Sequence, residues 1–84
     1  MKDKVLVRIR LPVADRQYDF RLPADAEVGQ LTQTLISMLG KTGDGPLLLQ
    51  RHPALWLARN GKPLVAGGTL REHGITDSEL LFLI

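Results

Sequence analysis

The first 22 residues contain two short segments in which apolar and polar side chains alternate, and this pattern most constrains the fold. Alternation with a period of two is typical of a strand that buries one face and exposes the other. Pro12 and the polar turn at residues 14–16 separate the two segments, so a β-hairpin is predicted. The apolar positions are Val5, Val7, Ile9 and Leu11 in the first segment and Tyr18, Phe20 and Leu22 in the second.

An amphipathic helix is predicted after the hairpin. Apolar residues recur there at spacings of three and four, which places them on one face of a helix. Asp25 is expected to cap the N-terminus of this helix, and Gly40 is expected to follow its C-terminus as the C′ residue. The buried stripe is predicted to contain Val28, Leu31, Leu35, Met38 and Leu39.

The second half of the chain is predicted to supply three more strands. Residues 55–59 form the first, the pair Asn60-Gly61 is a strong turn signal, and residues 63–65 form the second. The last strand runs from Leu80 to Ile84, and its consecutive apolar residues indicate a central position in the sheet.

Two connecting segments carry further expectations. Residues 69–75 are expected to form a short helical turn, with Thr69 and Glu72 as a capping box. Residues 41–53 are interrupted by glycine and proline, and residues 47–49 within them are expected to pack at the edge of the core.

The composition indicates one small domain, residues 1–84, with one modest core. Hydrophobic residues make up 44% of the chain, which argues against a disordered protein. The absence of cysteine excludes a disulfide scaffold, a cysteine zinc site and a thiol nucleophile. The net charge is only +2 and the basic residues are not clustered, so no nucleic-acid partner is expected.

The predicted order of elements is β-β-α-β-β-short helix-β, which gives an α+β sandwich of one helix on one face of a mixed sheet. This order and several residues together resemble ubiquitin and the ubiquitin-like β-grasp superfamily. The match is most specific in residues 57–64, Leu-Ala-Arg-Asn-Gly-Lys-Pro-Leu, followed by Thr69-Leu70, Gly74-Ile75 and Leu81. The resemblance covers nearly the whole chain and implies a ubiquitin-like β-grasp.

Within that superfamily, the chain most resembles the small YukD/EsaB-type proteins of bacterial type VII secretion systems. The shared features are Trp56, Leu70, Gly74, Ile75 and an apolar final strand. The resemblance implies a non-catalytic, cytosolic accessory component whose partners are secretion-apparatus subunits, such as an FtsK-like ATPase or membrane components. Such a protein reaches the inner face of the membrane through its partners, and a homo-oligomer is the alternative assembly. The cytosolic domain of the membrane component EccD is also similar, so an excised domain of that kind stays open.

A ubiquitin-like modifier or sulfur carrier is the disfavoured alternative. Proteins of both kinds act through a C-terminal Gly-Gly pair, whereas this sequence ends at Ile84 and its Gly67-Gly68 pair is internal. No segment approaches the roughly 20 apolar residues that span a bilayer, so no direct membrane insertion is expected. The expected location is the cytoplasm.

No enzyme activity, cofactor or metal is expected from the polar residues. The triplet Gly40-Lys41-Thr42 is similar to the end of a phosphate-binding loop, but the earlier glycine is missing and the triplet closes a predicted helix. His52 and His73 lack partners at ligand spacing. Ser37 and Ser78 lack an adjacent base.

The outer face of the predicted sheet is where we expect a protein-binding site. If Leu81 and Leu83 point into the core, their neighbours on the last strand point outward. An apolar patch with an arginine rim is typical of a recognition surface, and in ubiquitin the central isoleucine of this face falls on Ala58. The predicted site is Leu6, Arg8, Arg10, Trp56, Ala58, Leu80, Phe82 and Ile84. The alternatives are that residues 41–53 cover part of this face, or that the C-terminus frays.

Overall fold

A computed structural model of the protein, which describes residues 4–41 and 52–84, contains a five-stranded mixed sheet and one α-helix. The alternating first segments form a hairpin, as predicted, joined by a turn of 3-10 helix at Pro12–Ala14. The elements are β1 (Lys4–Leu11), β2 (Arg16–Pro23), α1 (Val28–Leu39), β3 (Leu55–Leu57), β4 (Lys62–Pro63) and β5 (Glu79–Leu83).

The strands lie in the order β2-β1-β5-β3-β4. β5 pairs in parallel with β1 and antiparallel with β3, so the apolar last strand occupies the centre of the sheet, as predicted. A strand with neighbours on both sides loses more water contact than an edge strand, which is why the most apolar segment lies there. The α+β β-grasp predicted from the sequence is confirmed.

The core lies between α1 and the inner face of the sheet. Val7, Ile9, Leu81 and Leu83 are each 0% exposed, so the predicted inward positions of β1 and β5 are correct. The same buried cluster includes Val28, Leu31, Leu35 and Leu39 from α1, which cross the sheet as a second layer.

The buried stripe of α1 is rotated relative to the prediction. Met38 was expected in the stripe but is 47% exposed, whereas Ile36 is only 8% exposed. Thr32 is also buried, and its hydroxyl donates to the Val28 carbonyl oxygen at 2.8 Å, so the hydroxyl is satisfied inside the helix. A spacing of three or four residues fits positions on both flanks of a stripe, and only packing decides which flank is covered.

Both expected helix caps are wrong. α1 begins at Val28 after Glu27, which makes no side-chain cap, and the N–H groups of Val28 and Gly29 donate to the carbonyl oxygens of Gly68 and Ala66 at 2.8 and 2.9 Å. A distant loop therefore satisfies donors that a local side chain usually takes. Gly40 ends the helix with right-handed dihedral angles (φ −62°), so it is the C-cap and not a left-handed C′ residue.

Asp25 instead forms an ion pair with Arg71, whose Nε lies 2.6 Å from Oδ1. Arg71 Nη2 donates to Oδ2 at 3.2 Å, so the guanidinium binds both carboxylate oxygens. The hydrogen bond from Arg71 holds the pKa of Asp25 below its ordinary value of 3.8. The pair fixes the segment before α1 to the loop that precedes β5.

The connections of the second half follow the predicted turn chemistry, with shifted boundaries. Gly61 has a φ of 67°, and Asn60 Oδ1 accepts a hydrogen bond from the N–H of Lys62, so the Asn-Gly turn is present. β3 ends at Leu57 instead of residue 59, because the chain already turns at residues 58–60. β4 covers Lys62–Pro63 instead of residues 63–65.

The capping box forms as predicted. Thr69 Oγ1 accepts from the N–H of Glu72, and Glu72 Oε1 accepts from the N–H of Thr69, both at 3.0 Å. Residues 70–74 nevertheless form consecutive turns and not a helix, and Gly74 closes them with a φ of 70°. The predicted packing of residues 47–49 lies outside the described residues.

Candidate protein interface

The outer face of the sheet collects side chains from β1, β5 and β3. On β1 and β5 the side chains that alternate with the buried residues point away from α1. The orientation of β3 was open in the sequence, and the burial of Leu57 (5% exposed) turns Trp56 outward. The residues brought together on this face are Leu6, Arg8, Arg10, Trp56, Ala58, Leu80, Phe82 and Ile84.

Strand register arranges these side chains in two rows across the sheet. In the first row Arg10 lies opposite Phe82, Phe82 opposite Trp56, and Trp56 opposite Pro63. Sequence reasoning missed Pro63, although the Asn60-Gly61 turn was the signal that could have placed it beside Trp56. Each row therefore runs from a basic end on β1 to an apolar end on β3 or β4.

The second row is shorter. Arg8 lies opposite Leu80, and the N–H of Ala58 donates to the carbonyl oxygen of Leu80 at 3.2 Å. Leu6 extends the face along β1, where it is partly exposed. Leu80 and Ala58 are small or aliphatic, so this part of the face is flatter than the aromatic row.

The apolar side chains of this face are less exposed than the sequence suggested. Trp56, Leu80 and Phe82 are partly buried. Ile84 is 48% exposed, yet its backbone is held by two hydrogen bonds with Ala54, at 2.8 and 3.1 Å. The last residue is thus paired in the structure and not frayed, while any cover from residues 42–51 lies outside the described residues.

The arginines at the basic end make surface ion pairs. Arg10 Nη2 lies 2.6 Å from Asp15 Oδ1, and Arg8 Nε lies 3.9 Å from Asp19 Oδ1. The Asp15 side chain is 85% exposed and the Asp19 side chain 58%, so both pairs are in contact with solvent. Solvent-exposed pairs are weak, and their guanidinium groups can exchange one carboxylate for another.

The indole nitrogen of Trp56 is covered and lacks a hydrogen-bond acceptor, the one such buried side-chain atom found in the described residues. A buried N–H without an acceptor costs about 1–3 kcal/mol. Apolar contacts alone give no reason to keep a tryptophan in place of another aromatic residue at this position. The nitrogen has less than 1 Å² of accessible surface, so an acceptor from outside the chain could reach it only after the side chain moved.

The polar residues singled out as alternatives are structural or solvent-exposed. His73 Nε2 accepts from the N–H of Val65 at 3.0 Å, and Nδ1 lies 2.7 Å from the carbonyl oxygen of Thr69, so the ring ties two loops together. His52 is exposed, and no cluster of three metal-ligating residues occurs among the described residues. Gly40 and Lys41 follow the C-terminal end of α1, where carbonyl groups and not N–H groups point outward.

In the part of the chain that the structure describes, two small clefts are lined by residues that do not belong to the outer face. Their volumes are about 220 and 180 Å³, below the roughly 300–1,000 Å³ of typical small-molecule sites. In the described ranges, 4–41 and 52–84, there is also no helix with the length and apolar character needed to cross a membrane.

Comparison with known proteins gives one family. The family model described as "WXG100 protein secretion system (Wss), protein YukD" matches residues 6–83. A search of curated proteins found no match.

Solved structures of similar fold include a ubiquitin-like domain, a chain of an inner membrane complex and a ubiquitin. The EccD5 ubiquitin-like domain from Mycobacterium xenopi is 21% identical, with a TM-score of 0.75 over 99% of this chain and 94% of that chain. A chain of the MycP5-free ESX-5 inner membrane complex is 22% identical, with a TM-score of 0.76 over 99% of this chain but only 21% of that one. Caldiarchaeum subterraneum ubiquitin is 20% identical, with a TM-score of 0.73 over 96% and 91% of the two chains.

Proposed function

Because the chain belongs to the YukD family of ubiquitin-like proteins, associated with WXG100 (type VII) secretion, we propose that it is a non-catalytic, cytoplasmic interaction module of such a system. Residues 1–84 act as a single domain. The module binds a subunit of the secretion apparatus, such as its FtsK-like ATPase or a membrane component, and is held near the inner face of the membrane by that partner. It works by being bound, and no cofactor takes part.

The observation that carries this proposal is the aromatic row Arg10–Phe82–Trp56–Pro63 on the outer face. Large aromatic side chains and arginine are the residues that contribute most to protein interfaces. The basic end of the row calls for carboxylates on the partner, and the apolar end calls for aliphatic or aromatic side chains.

An internal domain of a larger membrane protein is the second candidate. It is favoured by the likeness to the EccD5 ubiquitin-like domain and to a chain of the ESX-5 inner membrane complex, each matched over 99% of this chain. In that case the same outer face would contact neighbouring parts of the secretion complex.

A modifier or sulfur carrier is disfavoured by what the internal glycine pair does. The N–H of Gly68 donates to Val65 at 3.0 Å, and the Gly68 carbonyl oxygen accepts from Val28 at the start of α1. Gly68 of this internal pair therefore closes a turn and caps the N-terminus of α1.

The test is a binding measurement with purified subunits of the secretion system encoded in the same cell. Trp56→Ala and Phe82→Ser should each weaken binding to the cognate subunit by roughly thirtyfold or more, as expected for central interface residues. Arg10→Glu should weaken binding further at low salt than at high salt, because its contribution is electrostatic.

The matched controls are Met38→Ala and Met38→Ser, which alter an exposed apolar residue of α1, on the opposite side of the sheet. They should leave binding unchanged. Unaltered binding of folded Trp56→Ala and Phe82→Ser variants would remove the outer face from the proposal. Failure of every apparatus subunit to bind the wild-type chain would remove the function itself.

A further inference from the structure

We propose that the free edge of β2 is a self-association surface, where the β2 strand of a second copy of this chain pairs in the antiparallel direction. β2 lies at one edge of the sheet and is eight residues long, whereas the opposite edge, β4, has only two residues. A long edge strand presents a row of unpaired backbone N–H and C=O groups that can pair with another strand.

The hydrogen bonds of Leu6 show which backbone groups of β2 face this free edge. The N–H of Leu6 donates to Asp77 Oδ1 at 2.9 Å, and its carbonyl oxygen accepts from Ser78 at 2.7 Å, so both groups point away from β2. Leu6 lies opposite Arg21, which makes that pair a non-hydrogen-bonded one. The backbone groups of Arg21, and by alternation those of Asp19, therefore face the free edge.

One antiparallel register matches both charges and backbone groups. With Phe20 on the two-fold axis, Asp19 of one copy lies opposite Arg21 of the second, and the reverse pair forms on the other side of the axis. Each pair can exchange two backbone hydrogen bonds, because these residues present their groups to the edge. If the two-fold axis moved by one residue, Asp19 would lie opposite Asp19, or Arg21 opposite Arg21, and these like charges repel.

The other side chains of β2 fit the same register. Phe20 would lie opposite Phe20, and Tyr18 opposite Leu22, on the side of the sheet that carries α1. Phe20 and Tyr18 are only partly buried in the single chain, with ring centroids 6.2 Å apart, so both retain surface to contribute. Pro23, which has no N–H, would fall at the end of the paired segment, where pairing stops.

The charges of this edge are free to make these pairs. Arg21 is exposed and has no carboxylate partner among the described residues, and Asp19 Oδ1 makes a long, solvent-exposed contact of 3.9 Å with Arg8 Nε. Charged side chains on an edge usually prevent pairing. Here the signs alternate so that the strand is complementary to an antiparallel copy of itself.

The experiment measures self-association of the purified chain by sedimentation equilibrium up to millimolar concentration. The wild-type chain should form a dimer and no larger species. Asp19→Arg and Arg21→Asp should each weaken dimerisation by about tenfold or more, since two attractive pairs become repulsive. Lys62→Asp makes the same charge change as Arg21→Asp at the opposite edge, so it is the matched control for that variant and should have no effect.

Exchanging the two charged residues tests this register against a nonspecific effect of net charge. The double variant Asp19→Arg/Arg21→Asp keeps the net charge of the wild type and should dimerise again, and an equimolar mixture of the two single variants should form a heterodimer. At high concentration the backbone amides of Asp19 and Arg21 should also exchange hydrogen more slowly than at low concentration, while those of their neighbours change little.

A wild-type chain that stays monomeric at millimolar concentration would overturn the proposal. So would a dimer that tolerates both single variants, or a double variant that stays monomeric while its circular dichroism shows an intact fold. These measurements need only the purified chain, so their failure leaves the proposed binding of a secretion subunit untouched.

Discussion

The two faces of the sheet differ at their centres. Every member of the buried cluster found in residues 4–41 and 52–84 is aliphatic, from Val5 to Leu83, and the aromatic Tyr18 and Phe20 pack against it from the edge strand β2. The outer face instead carries Trp56 and Phe82 side by side at its centre. Aliphatic side chains interlock in a small core, whereas aromatic side chains give large contact areas at interfaces. The difference indicates that the aliphatic residues stabilise the fold and leave the aromatic pair for contacts at the surface.

The largest expected effect is on the free energy of unfolding, and it compares substitutions on the inner and outer sides of β5. Leu81 and Phe82 are neighbours on β5, but Leu81 is 0% exposed in the core and Phe82 is partly exposed outside it. Leu81→Ala should lower the free energy of unfolding by about 2–5 kcal/mol. Phe82→Ala should cost less, because part of its surface is already in water. Urea denaturation measures both.

A larger loss for Phe82→Ala than for Leu81→Ala would contradict the comparison of the two faces. It would mean that the outer face is itself a second core, as expected if residues 41–53 covered it.

A smaller effect is expected at the indole nitrogen of Trp56. Trp56→Phe keeps an aromatic ring and removes the N–H that lacks an acceptor, so the unfolding free energy should change by less than about 1 kcal/mol, or rise. Partner binding should change little, because the buried N–H presents no surface to a partner. A variant that is much less stable and binds normally would show that the indole is needed for packing alone.

The smallest expected effect is on the pH dependence of stability, and it involves neither face of the sheet. Arg71 lowers the pKa of Asp25 in the folded state. The ionised carboxylate therefore stabilises the fold at pH values above 3.8, the ordinary pKa of this side chain. That contribution is lost as the pH falls from this value through the lowered pKa. Asp25→Asn should reduce the acid dependence of stability measured by urea denaturation between neutral pH and the acid range. An unchanged dependence would mean that the pair is not formed in solution.

Much of the outer face could be predicted from alternation alone. Once Val7 and Leu81 are placed inside, a strand has no other place for Arg8 and Phe82 than the opposite face, because successive side chains point in opposite directions. The orientation of Trp56 could not be fixed in this way, since either Leu57 or its neighbours could have been buried. The row through Pro63 required the register of β3 and β4, which a turn signal suggests but does not measure.

The order of the elements, the inward faces of β1 and β5 and the turn at Gly61 can be predicted from the sequence, because they depend on local periodicity and local backbone preference. The residues that complete the helix N-terminus and the partner of Asp25 are known only from the tertiary structure. Ala66 and Gly68 cap α1, and Arg71 reaches Asp25, across some 40 residues of chain. Such contacts depend on which loops lie next to each other once the core has formed. The residue types along the chain do not specify this arrangement.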